Sequence, residues 1–140
     1  MKPFKINFLD HVAIYVADMQ RSINWYATNL GLKKYQPKEW GEFPVFMLAG
    51  KSGLAIFPAR TEDTKIDQDS RNVRIEHFAF NVTKKDFIKA QDYFKSIGQS
   101  YIFQDHHYFH SIYLRDPDGH KVELTSIVVD EASFYEINQA

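Results

Sequence analysis

Two histidines and one glutamate carry the strongest chemical signal in this chain. His11 lies in Asp10-His11-Val12-Ala13-Ile14-Tyr15-Val16, His77 in Glu76-His77-Phe78-Ala79-Phe80-Asn81-Val82, and Glu123 in Lys121-Val122-Glu123-Leu124-Thr125. Imidazole nitrogen with carboxylate oxygen is a ligand set that Fe(II), Mn(II), Co(II), Ni(II) and Zn(II) accept, and three protein ligands leave positions open for a substrate. Cysteine is absent, which excludes disulfides, thiolate sites and thiol nucleophiles and leaves nitrogen and oxygen as the donors. A single strand histidine is more often a half-buried hydrogen-bonded residue, and a single strand glutamate a solvated one. The metal reading therefore depends on the elements that place the three.

Those elements repeat. The segment around His11 recurs around His77, 66 residues on, and the same offset matches Gly53-Leu54-Ala55-Ile56-Phe57 to Gly119-His120-Lys121-Val122-Glu123. Each half reads as a strand, a helix and three more strands. In the first half a strand with Val12, Ile14 and Val16 on one face leads to a helix capped by Asp18. Met19, Ile23, Tyr26 and Leu30 form the apolar stripe of that helix, which Gly31 ends. Strands follow at Lys33–Gln36, Val45–Ala49 and Leu54–Phe57. The second half is expected to open with a strand over Ile75–Val82. A helix follows, capped by Thr83-Lys84-Lys85-Asp86, with Phe87, Ala90, Phe94 and Ile97 buried and Gly98 as its stop. Strands near Tyr101–Gln104, Ser111–Leu114 and Lys121–Ile127 complete it, with a turn at Asp116-Pro117-Asp118-Gly119.

The expected fold is α+β: two βαβββ modules, about 7–59 and 74–127, making an open, curled mixed sheet with helices outside. Residues 60–73 are the linker, and the tail 128–140 is left without assigned structure. Strand alternation puts His11, Ala13 and Tyr15 on the face away from the helix, with His77, Ala79 and Asn81 matching them. Glu123 shares its face with Lys121 and Thr125. Three ligand-type residues at repeat-related positions on one face favour a metal over three unrelated structural roles.

Composition narrows the partners. A formal charge of −1 with scattered lysines and arginines gives no footprint for nucleic acid or an anionic membrane. Neither a membrane span nor a signal peptide is read, so a cytoplasmic protein is expected.

Leu9-Asp10-His11-Val12-Ala13, Glu76-His77-Phe78-Ala79-Phe80 and the run Ser111 to Leu124 resemble the vicinal-oxygen-chelate superfamily. That family holds glyoxalase I, extradiol ring-cleaving dioxygenases, fosfomycin-resistance thiol transferases and bleomycin-binding proteins. The resemblance covers residues 7 to 127 and implies one divalent ion, Fe(II), Mn(II), Zn(II) or Ni(II), on His11, His77 and Glu123, acting as a Lewis acid. At the 66-residue offset Phe57 stands opposite Glu123, where glyoxalase I enzymes carry a second glutamate, so that activity is disfavoured.

The extradiol signature matches His106, Ile112, Tyr113, Asp116, Pro117, Gly119 and Glu123, with Phe103 where the signature has glycine. It implies that Tyr113 hydrogen-bonds a metal-bound oxygen and that His106 lines the pocket. A core role for Tyr113 is the competing reading. The thiol transferases match the chain's length and its Ser111–Glu123 stretch, yet His110 stands where such relatives often place arginine. The histidine-rich loop Asp105–His110 suits a neutral or aromatic oxygenated ligand, with His107 and His110 as candidate substrate contacts beside Phe57 and Trp40. An extradiol-type enzyme is therefore the leading expectation and a thiol transferase the first alternative. A non-catalytic binding protein using aromatics such as Trp25, Trp40, Phe43 and Phe46 is the other. A homodimer is expected from family habit and from the apolar tail residues Phe134, Tyr135 and Ile137.

Overall fold

The computed structural model describes residues 2–60 and 66–138, the last three by their backbone alone. Of the expected linker, residues 61–65 lie outside the described residues, as do Gln139, Ala140 and the side chain of Ile137 in the tail. The chain forms two compact units, residues 1–65 and 66–140.

The first unit runs β1 (His11–Val16), α1 (Met19–Leu30), β2 (Lys33–Tyr35), a 3-10 turn (Lys38–Trp40), β3 (Val45–Ala49) and β4 (Ser52–Pro58). Its four strands form one sheet in the order β1-β4-β3-β2, with β1 parallel to β4 and the other pairs antiparallel. Alternation in β1 decides what is buried: Ile14 and Val16 go into the core, while His11, Ala13 and Tyr15 are exposed. The Asp18 side chain accepts from the Arg21 backbone N–H at 3.0 Å, and Gly31 at φ 65° ends α1, as their residue types require. Ile23 and Tyr26 pack that helix onto a core with Val45, Met47, Leu54 and Ile56.

The second unit repeats the plan with β5 (Phe78–Asn81), α2 (Lys84–Ser96), β6 (Ile102–Asp105), β7 (Phe109–Arg115) and β8 (Lys121–Ile127). Its sheet order is β5-β8-β7-β6, again with one parallel pair, β5 with β8. Thr83 accepts from the Asp86 N–H at 3.1 Å, which starts α2. Phe87 and Phe94 are buried, whereas Ile97 falls at the helix end and is exposed. The twofold βαβββ expectation holds, and the outcome is two four-stranded mixed sheets.

Three boundaries differ from the sequence reading. The opening strand of the second unit begins at Phe78, so His77 stands just before the ladder. The stretch Asp105–His110 is a hairpin rather than a loop: it is the end of β6, a turn at His106–Tyr108 and the start of β7, which already includes His110. The tail contains a third helix, α3 (Glu131–Asn138), started by Asp130, whose carboxylate accepts from the Ser133 N–H at 3.0 Å. No helix among the described residues is long and apolar enough to cross a membrane.

Candidate functional site

The strand register of the second unit builds a polar row on one face of its sheet. Tyr113 of β7 lies opposite Glu123 of β8, which lies opposite Ala79 of β5, and Ser111 lies opposite Thr125. Glu123 is buried, at 7% exposure, so its charge needs partners on the spot. The Ser111 hydroxyl donates to Oε2 of Glu123 at 3.1 Å and lies 3.0 Å from Oγ1 of Thr125. Nε2 of His77 sits 3.0 Å from Oε1 of Glu123. The other ring nitrogen, Nδ1, is hydrogen-bonded to Glu76.

This is the arrangement a ligating histidine needs. Both ring nitrogens face carboxylates, and the neutral tautomer that keeps its proton on Nδ1 for Glu76 is the one that would offer Nε2 to a metal beside Glu123. Glu76 is itself anchored, with Lys121 Nζ 2.9 Å from its Oε1. That lysine, and next the His77 contact, hold the Glu76 carboxyl down at about 2, so it stays charged. His11 repeats the device in the first unit: its Nδ1 is 2.8 Å from Oδ1 of Asp10. The sequence reading missed Asp10 and Glu76, although an acidic residue before each histidine was visible in both repeats.

Tyr113 joins the row from β7. Its hydroxyl is 2.8 Å from Nε2 of His106, its ring meets that of His77 edge-on at 5.6 Å, and Lys121 Nζ lies 4.8 Å from its ring centre. Burial, and then hydrogen bonding to Glu123, push the Tyr113 phenol up to about 12. It is therefore a neutral donor across the physiological range. The structure thus brings His106 and Tyr113 into hydrogen-bond contact.

The other candidates fare differently. His110 pairs with Ser126 and lies on the opposite face of β7 from Ser111 and Tyr113, its ring 5.3 Å from Phe103 and 6.4 Å from Phe87 of α2. Strand alternation turns it toward the helix, because it is one residue out of phase with Ser111. His107, at φ 70°, occupies the hairpin turn with its ring against Tyr108 at 4.7 Å. In the first unit Trp40 meets Phe46 at 4.8 Å, and Phe46 meets His11 at 5.1 Å. Phe57 contacts Tyr15 and Phe43, at 6.2 and 6.3 Å.

The register also corrects the repeat. Ala13 pairs with Ala55, whereas Ala79 pairs with Glu123, so Ala55 rather than Phe57 stands where the second unit has its glutamate. Neither residue is a carboxylate, so the first unit still offers only its histidine at these positions. Among the described residues, neither unit by itself gathers three histidine or acidic side chains into a metal-holding group. His77 and Glu123 are the two ligand-type side chains that one unit already presents together, and their donor chemistry fits a divalent ion.

Comparison with known proteins bears on the family and the fold. A family model described as the Glyoxalase/Bleomycin resistance protein/Dioxygenase superfamily matches residues 8–124. The chain is 27% identical over 134 residues to the metallothiol transferase FosB of Staphylococcus saprophyticus, covering 93% of this chain and 84% of that protein. It is also 27% identical over 116 residues to the glutathione transferase FosA of Serratia marcescens, covering 83% and 78%. A solved glyoxalase/dioxygenase from Nostoc punctiforme has the same fold, with a TM-score of 0.78 at 22% identity over 92% of this chain and 97% of that one.

Proposed function

The chain belongs to the Glyoxalase/Bleomycin resistance protein/Dioxygenase superfamily, and from that premise we propose that it is a divalent-metal-dependent transferase joining a thiol to a small oxygenated substrate. One observation carries the reading: His77 offers Nε2 toward the buried carboxylate of Glu123 while Glu76 holds Nδ1. It does so in a chain similar along 93% of its length to a metallothiol transferase. The ligand set in this reading is His11, His77 and Glu123, holding Fe(II), Mn(II), Zn(II) or Ni(II). A bound ion supplies Lewis acidity toward a substrate oxygen.

The chain's own residues do the rest. The thiolate sulfur attacks a substrate carbon, a carbon–oxygen bond breaks, and the oxygen takes up a proton equivalent to the one the thiol lost. In this reading Tyr113, neutral and hydrogen-bonded to His106, donates to that oxygen as its charge develops. Ser111 holds Glu123 in orientation and Glu76 holds His77. Trp40, Phe57 and His107 are assigned to substrate contact, and His110, turned onto Phe87, is not.

The ring-cleaving dioxygenase is the second reading, supported by the nearness of Tyr113 and His106, the two residues its signature assigns to the pocket. A homodimer belongs to the same picture, supported by family habit and by the exposed apolar stretch Phe4, Ile6, Phe8 and Leu9. A monomer mass in light scattering at micromolar concentration would remove it.

The deciding experiment reconstitutes the protein with each of the four ions. It then assays glutathione consumption with fosfomycin beside oxygen uptake on a catechol panel. Metal-dependent thiol consumption, lost in His77→Ala and Glu123→Ala, is expected. Oxygen uptake with a catechol would install the second reading, and failure to bind any of the ions would sink both.

A further inference from the structure

The second unit carries a cationic pocket whose arginines the chemistry above does not use. It has a volume of about 590 Å³ and is lined by the segment entering β5 and by the ends of β7 and β8. Arg71, Arg74, Arg115 and Lys121 supply its positive charge, against Asp69 and Glu76. Lys121 and Glu76 neutralise each other at 2.9 Å, which leaves three guanidiniums facing one carboxylate.

Two of those guanidiniums are anchored by backbone. Arg115 donates Nη1–H to the Gly119 carbonyl at 3.1 Å, and Arg74 donates Nη2–H to the Ser70 carbonyl at 3.0 Å. Each anchor fixes a planar fork at the cost of one N–H, and the remaining donors of each group suit paired oxygens of an anion. Arg115 is half-buried, in β7, so part of the site rests on the sheet. Across the whole chain basic residues are scattered and the formal charge is −1, so three arginines around one concavity are a local concentration rather than a general positive field.

We propose that this pocket binds the doubly charged oxyanion of a small phosphate monoester through Arg71, Arg74 and Arg115. Bidentate Arg–oxyanion pairs are directional, and a dianion matches the net charge of the lining where a monoanion leaves it half-compensated. The inference rests on the second unit alone and does not require the metal reading. A ligand here would lie beside Lys121 and Glu76, the pair that orients His77, so occupancy is coupled to that histidine by a shared side chain.

The test is calorimetric titration of chelator-treated protein with inorganic phosphate and, at matched ionic strength, with acetate. Saturable phosphate binding at least tenfold tighter than acetate is expected. Arg71→Gln and Arg115→Gln should each weaken it about tenfold or more, whereas Lys84→Gln on α2 should leave it unchanged. Arg71 is exposed, so its variant keeps the test sound if Arg115→Gln fails to fold. Equal binding of the two anions, undiminished binding in Arg71→Gln, or phosphate binding only after a divalent metal is restored would each overturn the proposal.

Discussion

The hydroxyl of Tyr113 lies 2.8 Å from Nε2 of His106, seven residues earlier, across the hairpin that β6 and β7 form. The hairpin makes the contact possible: Asp105 pairs with His110, and the backbone N–H of His106 donates to the Phe109 carbonyl at 2.8 Å. His106 is thereby fixed at the mouth of the turn, and Tyr113 reaches it from the polar face of β7. A phenol pushed up to about 12 stays protonated across the physiological range. Its raised value also means that ionising Tyr113 disfavours the folded state only at strongly alkaline pH.

Tyr113→Phe therefore removes a donor without removing a charge. Turnover should fall by about 10²-fold, with metal affinity little changed, because the loss falls on charge developing at substrate oxygen. The ultraviolet difference between wild type and this variant should show no phenolate signal until the pH approaches about 12. A Tyr113 phenolate near the ordinary value of 10 would mean that burial and Glu123 do not act on it as the structure implies.

Glu76→Gln tests the anchor of His77. The folded Glu76 carboxyl sits at about 2 against an ordinary 4.5, a depressed value, so its stabilisation is complete above about 4.5 and lost as the pH falls toward 2. The side chain is 58% exposed, which limits the stabilisation to roughly 1 kcal/mol or less after solvent screening. Urea denaturation should show a small deficit for the variant at neutral pH that closes as the pH drops below about 4.5. Metal affinity should weaken by roughly 10–100-fold, since an amide orients the imidazole less firmly than a carboxylate.

Gly53→Ala tests the packing under β1. A methyl group at Gly53 would meet the Met47 carbonyl oxygen at 2.2 Å, and a backbone atom cannot swing aside. A loss of about 1–3 kcal/mol in denaturant unfolding is expected from the forced shift. An unchanged midpoint would show that β3 and β4 part more easily than their register suggests.

The same glycine shows where sequence reading succeeds and where it stops. Helix caps at Asp18 and Thr83, the alternation of β1 and the kinship of His11 with His77 were legible because each is a local signal. Matching Gly53 to Gly119 was not safe. Gly53 lies inside β4 against backbone, whereas Gly119 takes φ 93° in a turn. The hairpin in the first unit closes Ala49 onto Ser52, and the one in the second closes Arg115 onto Lys121 through a longer turn. The added turn residues shift the last strands relative to each other, so the offset that aligns the histidines assigns Phe57 to a place the ladder gives Ala55. Because the shift is by two, Ala55 and Phe57 share a side-chain face, and the error leaves the face assignment unchanged. His110 shows the opposite sensitivity: read as a loop residue it had no face, and one step along β7 decides that it meets Phe87 rather than Tyr113.

Ser111→Ala probes the carboxylate from its buried side. Ser111 is fully buried, donates to Oε2 of Glu123 and touches Thr125 Oγ1 at 3.0 Å. Removing the hydroxyl leaves a nearly enclosed carboxylate with one donor fewer, and a hydrogen bond to a charged group is worth about 1.5–3 kcal/mol. The metal-free protein should lose stability of that order in urea denaturation. Part of the loss should return when a divalent ion is added, because the ion then compensates the charge that the hydroxyl had shared. Ser111→Thr restores the donor but adds a methyl group to a packed row, so it should recover the metal-free stability only in part. A stability deficit in Ser111→Ala that metal leaves untouched would place Glu123 in a structural role and take it out of the ligand set.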